Sequence, residues 1–104
     1  MKLDLKQIKK ETLDITLADG SLLKVKKPNT RLVIEISKLD TNKLNAANVE
    51  EVLEIAEEIT CKILSNNTEG IKFTKEKIEE LGMDYDIQTI IFDSYVKFTT
   101  QVSA

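Results

Sequence analysis

The sequence has no histidine and no tryptophan, and its 104 residues include one cysteine, one proline and three glycines. Each scarcity excludes something. Without histidine there is no Ser-His or Cys-His pair and no His-bearing metal site. A lone thiol, Cys61, cannot close an intramolecular disulfide, which agrees with a reducing compartment. With no histidine to activate it and a position away from the apolar stripe of its helix, Cys61 reads as an ordinary thiol. Gly20, Gly70 and Gly82 are too dispersed for a phosphate-binding loop. No apolar run approaches the roughly 20 residues needed to span a bilayer, and Met1-Lys2-Leu3-Asp4-Leu5-Lys6 lacks the continuous apolar core of a signal peptide. A cytoplasmic protein with no membrane partner is expected, in which Asn66-Asn67-Thr68 carries no meaning as a glycosylation sequon.

What is present points to one folded domain over residues 1–104. Hydrophobic residues make up 41% and charged residues 32% of the chain, a balance that supports a single core, with about two-thirds of the unfolded surface buried on folding. The net charge of -3 hides an asymmetry: residues 1–45 carry ten Lys and Arg against six Asp and Glu, or +4, and residues 46–104 carry five against twelve, or -7. Two solvated faces account for this pattern. Attraction between unlike halves of neighbouring copies is the sharper reading. Nucleic acid is disfavoured as a partner, because the basic residues are scattered and no aromatic lies among them before Phe73.

The strongest periodic signal lies at residues 48–66. At 100° per residue Val49, Val52, Leu53, Ala56, Ile59, Thr60, Ile63 and Leu64 share an arc of roughly 140°, opposite Glu50, Glu51, Glu54, Glu57 and Glu58. This predicts a long amphipathic helix with an acidic outer face. Ahead of it, residues 1–11 fit either a short strand or one or two helical turns. Leu13, Ile15 and Leu17 then alternate with Asp14 and Thr16, and Leu23 and Val25 with Lys24 and Lys26. With Asp19-Gly20 between them as a two-residue turn, they predict a β-hairpin over about 12–27. Such a hairpin is marginal alone, so a helix must cover its apolar face or a strand from another copy must join its edge.

Pro28 ends the second strand, and Asn29 or Thr30 caps a helix over about 31–39, although Val33-Ile34 also fits a third strand. Residues 40–45 read as a polar connection, with Asn45 or Asn48 capping the long helix. Asn66-Asn67 tolerate the left-handed conformation that closes helices. Thr74 caps a short helix over about 75–81 that ends at Gly82, and Asp84 or Asp86 begins a last one over about 86–101. On that last helix Ile87, Ile90, Ile91, Tyr95, Phe98 and Val102 form a face for docking on the long helix. Phe92 and Val96 point roughly 60° to 100° beyond it, which leaves a second apolar surface for a partner helix or another copy. The fold class predicted is α+β: an N-terminal β-hairpin followed by a bundle of about four helices, mostly α.

No catalytic, cofactor-binding or metal-ligating residue is assigned. Asp84-Tyr85-Asp86 begins like an oxygen-ligand loop but lacks the turn glycine and the closing glutamate, so helix capping explains it. The glutamates of the long helix lie opposite the apolar stripe, in solvent, where they make poor acid-base pairs.

Taken together, the hairpin with Asp19-Gly20, Pro28-Asn29-Thr30-Arg31 leading into a helix, the long acidic helix, Asn66-Asn67-Thr68-Glu69-Gly70 and Phe73-Thr74-Lys75-Glu76 resemble the tail assembly chaperones of long-tailed bacteriophages and prophages. The likeness is one of element order and polarity over most of the chain. It implies a non-enzymatic protein of the bacterial cytoplasm that coats the long helical tape measure protein, helps to recruit tail tube subunits and leaves the finished particle. It implies weak self-association as well, and no residue inherits a role from it. Phe92 and Val96 are then the expected partner surface. Two alternatives stand beside this one: a structural tail or connector subunit of a phage particle, and a small bacterial adaptor that binds a protein through Glu54 and Glu58 of the acidic helix.

Overall fold

A computed structural model of the chain describes residues 11–101. Residues 1–10 and Val102 lie outside that range, so the choice of strand or helix at the start and the docking expected of Val102 do too. The alternating segments form strands β1 (Thr12–Thr16) and β2 (Leu22–Lys26), paired antiparallel with Leu13 opposite Val25 and Ile15 opposite Leu23. Leu23 and Val25 are fully buried, while Lys24 and Lys26 face water. The turn departs from the two-residue form. Leu17 donates to the Ser21 carbonyl at 2.8 Å and Gly20 to the Leu17 carbonyl at 2.9 Å, so Ala18, Asp19 and Gly20 form a three-residue loop with only Gly20 at positive φ, +88°. This is a type I turn closed by a glycine bulge. The Asp19 carboxylate fixes it by accepting from the Ser21 amide at 3.0 Å and hydroxyl at 2.6 Å.

Four helices follow: α1 (Thr30–Leu44), α2 (Val49–Ser65), α3 (Lys75–Glu80) and α4 (Tyr85–Thr100). Each begins at a side-chain cap, with Asn29, Asn48, Thr74 and Asp84 accepting from the third amide beyond, which satisfies a donor the helix cannot pair internally. Helix α1 runs on through residues 40–44, which were expected to be a connection. The polar side chains there support the helix: Lys43 pairs with Asp40 one turn back at 3.4 Å, and the Thr41 hydroxyl donates to the Ser37 carbonyl at 3.0 Å. Asn45 therefore closes α1, and Asn48 alone opens α2. Helix α3 ends in a Schellman motif, with Gly82 donating to Glu79 and Met83 to Ile78, so Met83 folds back over the buried Ile78.

The architecture is α+β, a two-stranded hairpin followed by four helices, with α2 at its centre. Helices α1, α3 and α4 and strand β2 all pack on α2. Ile59, Ile63 and Leu64 lose nearly all their exposure there, each contributing about 2 kcal/mol or more by burial. Thr60 lies among them with its hydroxyl returned to the Ala56 carbonyl at 2.8 Å. Only the later turns of the predicted stripe are covered. Val49 keeps 73% and Leu53 43% of its exposure, because α4 begins beside Ala56 and leaves the first turns of α2 uncapped. The described part is accordingly elongated, 53 × 33 × 19 Å.

Residues 66–69 depart further from expectation. Asn66 and Asn67 do not adopt the left-handed conformation; the three positive-φ residues described are all glycines. Instead this segment pairs along the free edge of β2: the Lys26 amide donates to the Asn66 carbonyl at 2.8 Å and the Thr68 amide to the Lys24 carbonyl at 2.9 Å. The Glu69 carboxylate also takes the Lys24 amide at 3.2 Å. The edge of β2 is thus closed within the chain along Lys24 to Lys26. Among the described residues no helix is long and apolar enough to cross a membrane.

Candidate functional site

Helices α1 and α4 both rest on α2, and a groove of about 280 Å³ runs between them. Val33, Ile36, Ser37 and Asp40 form the α1 wall; Phe92, Tyr95, Val96, Thr99 and Thr100 form the α4 wall, with Pro28 at one end. On the other side of Phe92 lies a separate, smaller chamber of about 140 Å³, lined also by Lys43 of α1, Ala56 and Ile59 of α2, and Tyr85, Gln88, Thr89 and Asp93 of α4. The Lys43 ammonium lies 5.1 Å from the centre of the Phe92 ring and also pairs with Asp40. The cation therefore stays at the junction, against the face of the ring.

Phe92 and Val96 share this groove. Phe92 is half-buried, with one face against the core, and Val96 keeps 44% of its exposure. The neighbouring face of α4 differs from the one expected. Ile87 and Ile90 keep 40% and 64% of their exposure, whereas Gln88, Ile91, Tyr95 and Phe98 are buried. The docked stripe is therefore rolled roughly 50° toward Phe92 relative to the predicted arc. Burying Gln88 is possible because its Nε2 donates to the Met83 carbonyl at 2.9 Å.

Glu54 and Glu58 lie elsewhere, exposed on the outer face of α2 and outside the groove. Cys61 is nearer the core than its helical position suggested. It packs partly against the buried cluster, and burial, reinforced by the Glu57 carboxylate, pushes its thiol above the usual range, which disfavours the reactive thiolate. The α1 residues of the groove, Val33, Ile36, Ser37 and Asp40, are not marked as a surface by the sequence, where Val33 and Ile36 count only, with Leu32 and Leu39, toward the helical spacing of this segment.

One end of the groove is held by hydrogen bonds. The Tyr95 hydroxyl donates to the Lys26 carbonyl at 2.8 Å, and the Asn66 side-chain amide reaches the carbonyls of Lys26 and Lys27 and the Tyr95 oxygen at 3.1 to 3.4 Å. Burial raises the Tyr95 phenol above its ordinary range, and the bond from Asn66 opposes this in part. Two enclosed side-chain atoms have no partner among the described residues: Oε1 of Gln88, a residue that lines the chamber, and Oγ1 of Thr99, a residue that lines the groove. Also among the described residues, no group of three or more His, Cys, Asp or Glu side chains is placed to hold a metal ion. The groove offers apolar contact and a few hydrogen-bonding atoms, a set suited to holding another polypeptide.

Compared with known protein families, with curated proteins and with solved structures, the chain matches none.

Proposed function

We propose that this protein is a non-enzymatic assembly chaperone that grips an apolar helical segment of a client protein in the groove between α1 and α4. The observation that supports this is the pairing of Val96, 44% exposed, with half-buried Phe92 along a groove whose opposite wall presents Val33 and Ile36. A soluble domain of this size keeps such a strip at some risk of aggregation unless it is used. Covering about 300 Å² of apolar surface would contribute roughly 7 kcal/mol before the cost of association. Each contact is then weak and reversible, which suits a scaffold that departs.

The resemblance in element order to tail assembly chaperones supplies the client: the tape measure protein of a long-tailed phage or prophage, bound in the bacterial cytoplasm while tail tube subunits assemble. The test is co-expression of the chain with a tape measure protein of a long-tailed phage or prophage. The expected result is a soluble complex that dissociates on dilution and is lost with Val96→Asp or Phe92→Asp. Recovery of the protein from mature particles would make it a permanent tail or connector subunit instead. Loss of binding on charge reversal of Glu54 and Glu58, with the groove variants unaffected, would make it an adaptor acting through its acidic helix.

A further inference from the structure

Past the start of α4, the helical hairpin of α1 and α2 runs on without a third helix. Val49 and Leu53 lie two turns and one turn before the buried Ala56 on the same stripe of α2, and they keep 73% and 43% of their exposure. Leu44, the last residue of α1, keeps 79%. Tyr85, which opens α4 and lines the chamber together with Ala56, keeps 40%. Farther along α2 the same stripe is nearly closed to water at Ile59, Thr60 and Ile63, where its neighbours cover it. The overhanging turns have the apolar residues for such a contact and lack the cover. Single exposed apolar residues are ordinary, but a group at one end of a domain marks an interaction surface.

The charge at this end is one-sided. Residues 40–57 and 84–93 hold eight carboxylates and one cation, Lys43, which is already paired with Asp40 at 3.4 Å. Glu50, Glu51 and Glu54 are exposed on the same two turns of α2 that carry Val49 and Leu53. We infer that the overhang is a docking site for a basic amphipathic helix of another protein, with an apolar stripe about two turns long and Lys or Arg on its flanks. The site is separate from the groove between α1 and α4 and does not depend on how that groove is read. A helix suits it because the seven residues of α2 before Ala56 offer a slot of about 10 Å beside two helices, in line with α4, and no strand edge. Lysines on its flanks then meet the carboxylates that rim the slot. A second copy fits less well. Brought up by a twofold axis, its overhang would set one group of eight carboxylates against another. Its basic strand has no apolar stripe to offer, because Leu23 and Val25, the neighbours of Lys24 and Lys26, are buried in their own core.

The test uses the full chain and three labelled peptides of about 14 residues. One is a helix with a Leu stripe flanked by Lys, the second has Glu in place of each Lys, and the third has the composition of the first in scrambled order. Fluorescence anisotropy at about 50 mM salt should show the first binding about tenfold more tightly than either control, and about tenfold less tightly at about 500 mM. Val49→Ser, at a site exposed enough to leave the fold intact, should weaken that binding about fivefold, and Val49→Ser with Leu53→Ser roughly tenfold or more. Glu50→Gln with Glu54→Gln should weaken it about threefold and flatten the salt dependence, while Val96→Asp leaves it unchanged. Equal binding of the scrambled peptide, indifference to Val49→Ser with Leu53→Ser, or no binding at all would overturn the inference. Concentration-dependent dimerisation that this double variant abolishes would assign the overhang to a second copy and overturn it as well. Client capture that is lost with Val96→Asp is a different measurement, so the groove reading and this one fail separately.

Discussion

The two ends of the space between α1 and α4 are built differently. At the Asn66 corner, side-chain amide, phenol and backbone carbonyls of three elements satisfy one another, and the segment that follows is tied to β2 by both backbone and side chain. Toward Lys43 the walls carry partly exposed apolar side chains such as Phe92 and Val33, and among the described residues the Gln88 Oε1 has no partner. One helix, α4, serves both: Tyr95 closes the corner, and Val96, the next residue, opens onto the groove. A substitution at the corner should therefore cost stability, and a substitution in the groove should cost binding.

The largest effect on folding is expected at Asn67. Its side chain donates to the carbonyls of Leu64 and Ile71 and accepts from the amides of Glu69 and Ile71 at 2.7 to 3.0 Å while nearly buried. Asn67→Ala leaves those groups unpaired and should lower the unfolding free energy by about 3 kcal/mol in urea titration. Tyr95→Phe comes next, at about 1 kcal/mol, because the ring still packs and only the bonds to Lys26 and Asn66 are lost.

The same tyrosine gives the comparison a pH dependence. Its phenol titrates higher in the fold than in the unfolded chain because burial disfavours the anion. Its contribution is therefore complete below the ordinary phenol range near pH 10 and is lost as the pH rises through the raised value. Alkaline melts should show a fall in midpoint above about pH 10 that is smaller in Tyr95→Phe.

Val96→Asp should change stability by less than about 0.5 kcal/mol, as for other half-exposed sites, and yet abolish client binding. A large loss of stability from this substitution would erase the distinction between corner and groove. The smallest effect is expected for Glu54→Lys with Glu58→Lys, which exchanges one like-charge pair for another on an exposed face and should leave both melting and client capture nearly unchanged.

The order of elements was legible in the sequence, because caps act through residues three positions apart and hairpins through strict alternation. Of the caps only Thr74 follows from the sequence outright; Asn29 or Thr30, Asn45 or Asn48, and Asp84 or Asp86 stay open there, and the structure selects Asn29, Asn48 and Asp84. The end of α1 was misread because Asp40, Thr41 and Asn42 are ordinarily connection residues, and only their pairing within the helix shows otherwise. Asn66 and Asn67 were read as left-handed for the same reason: composition gives a tolerance, and the neighbour, here the edge of β2, decides which tolerance is used. The roll of α4 was invisible, since periodicity gives the width of an apolar arc but not the helices it meets. That roll placed Gln88 inside and Ile90 outside. The groove was legible only in half, through Phe92 and Val96 on its α4 wall. Its α1 wall depends on how two helices distant in sequence lie across α2.

The Asn66 corner also bears on geometry. It fastens the C-terminal part of α4 to the chain just before α1, so the two walls are joined at one end much as the jaws of a clothes-peg are joined at the spring. Both jaws also rest on α2, so the width between them is held by that shared floor as well as by the spring.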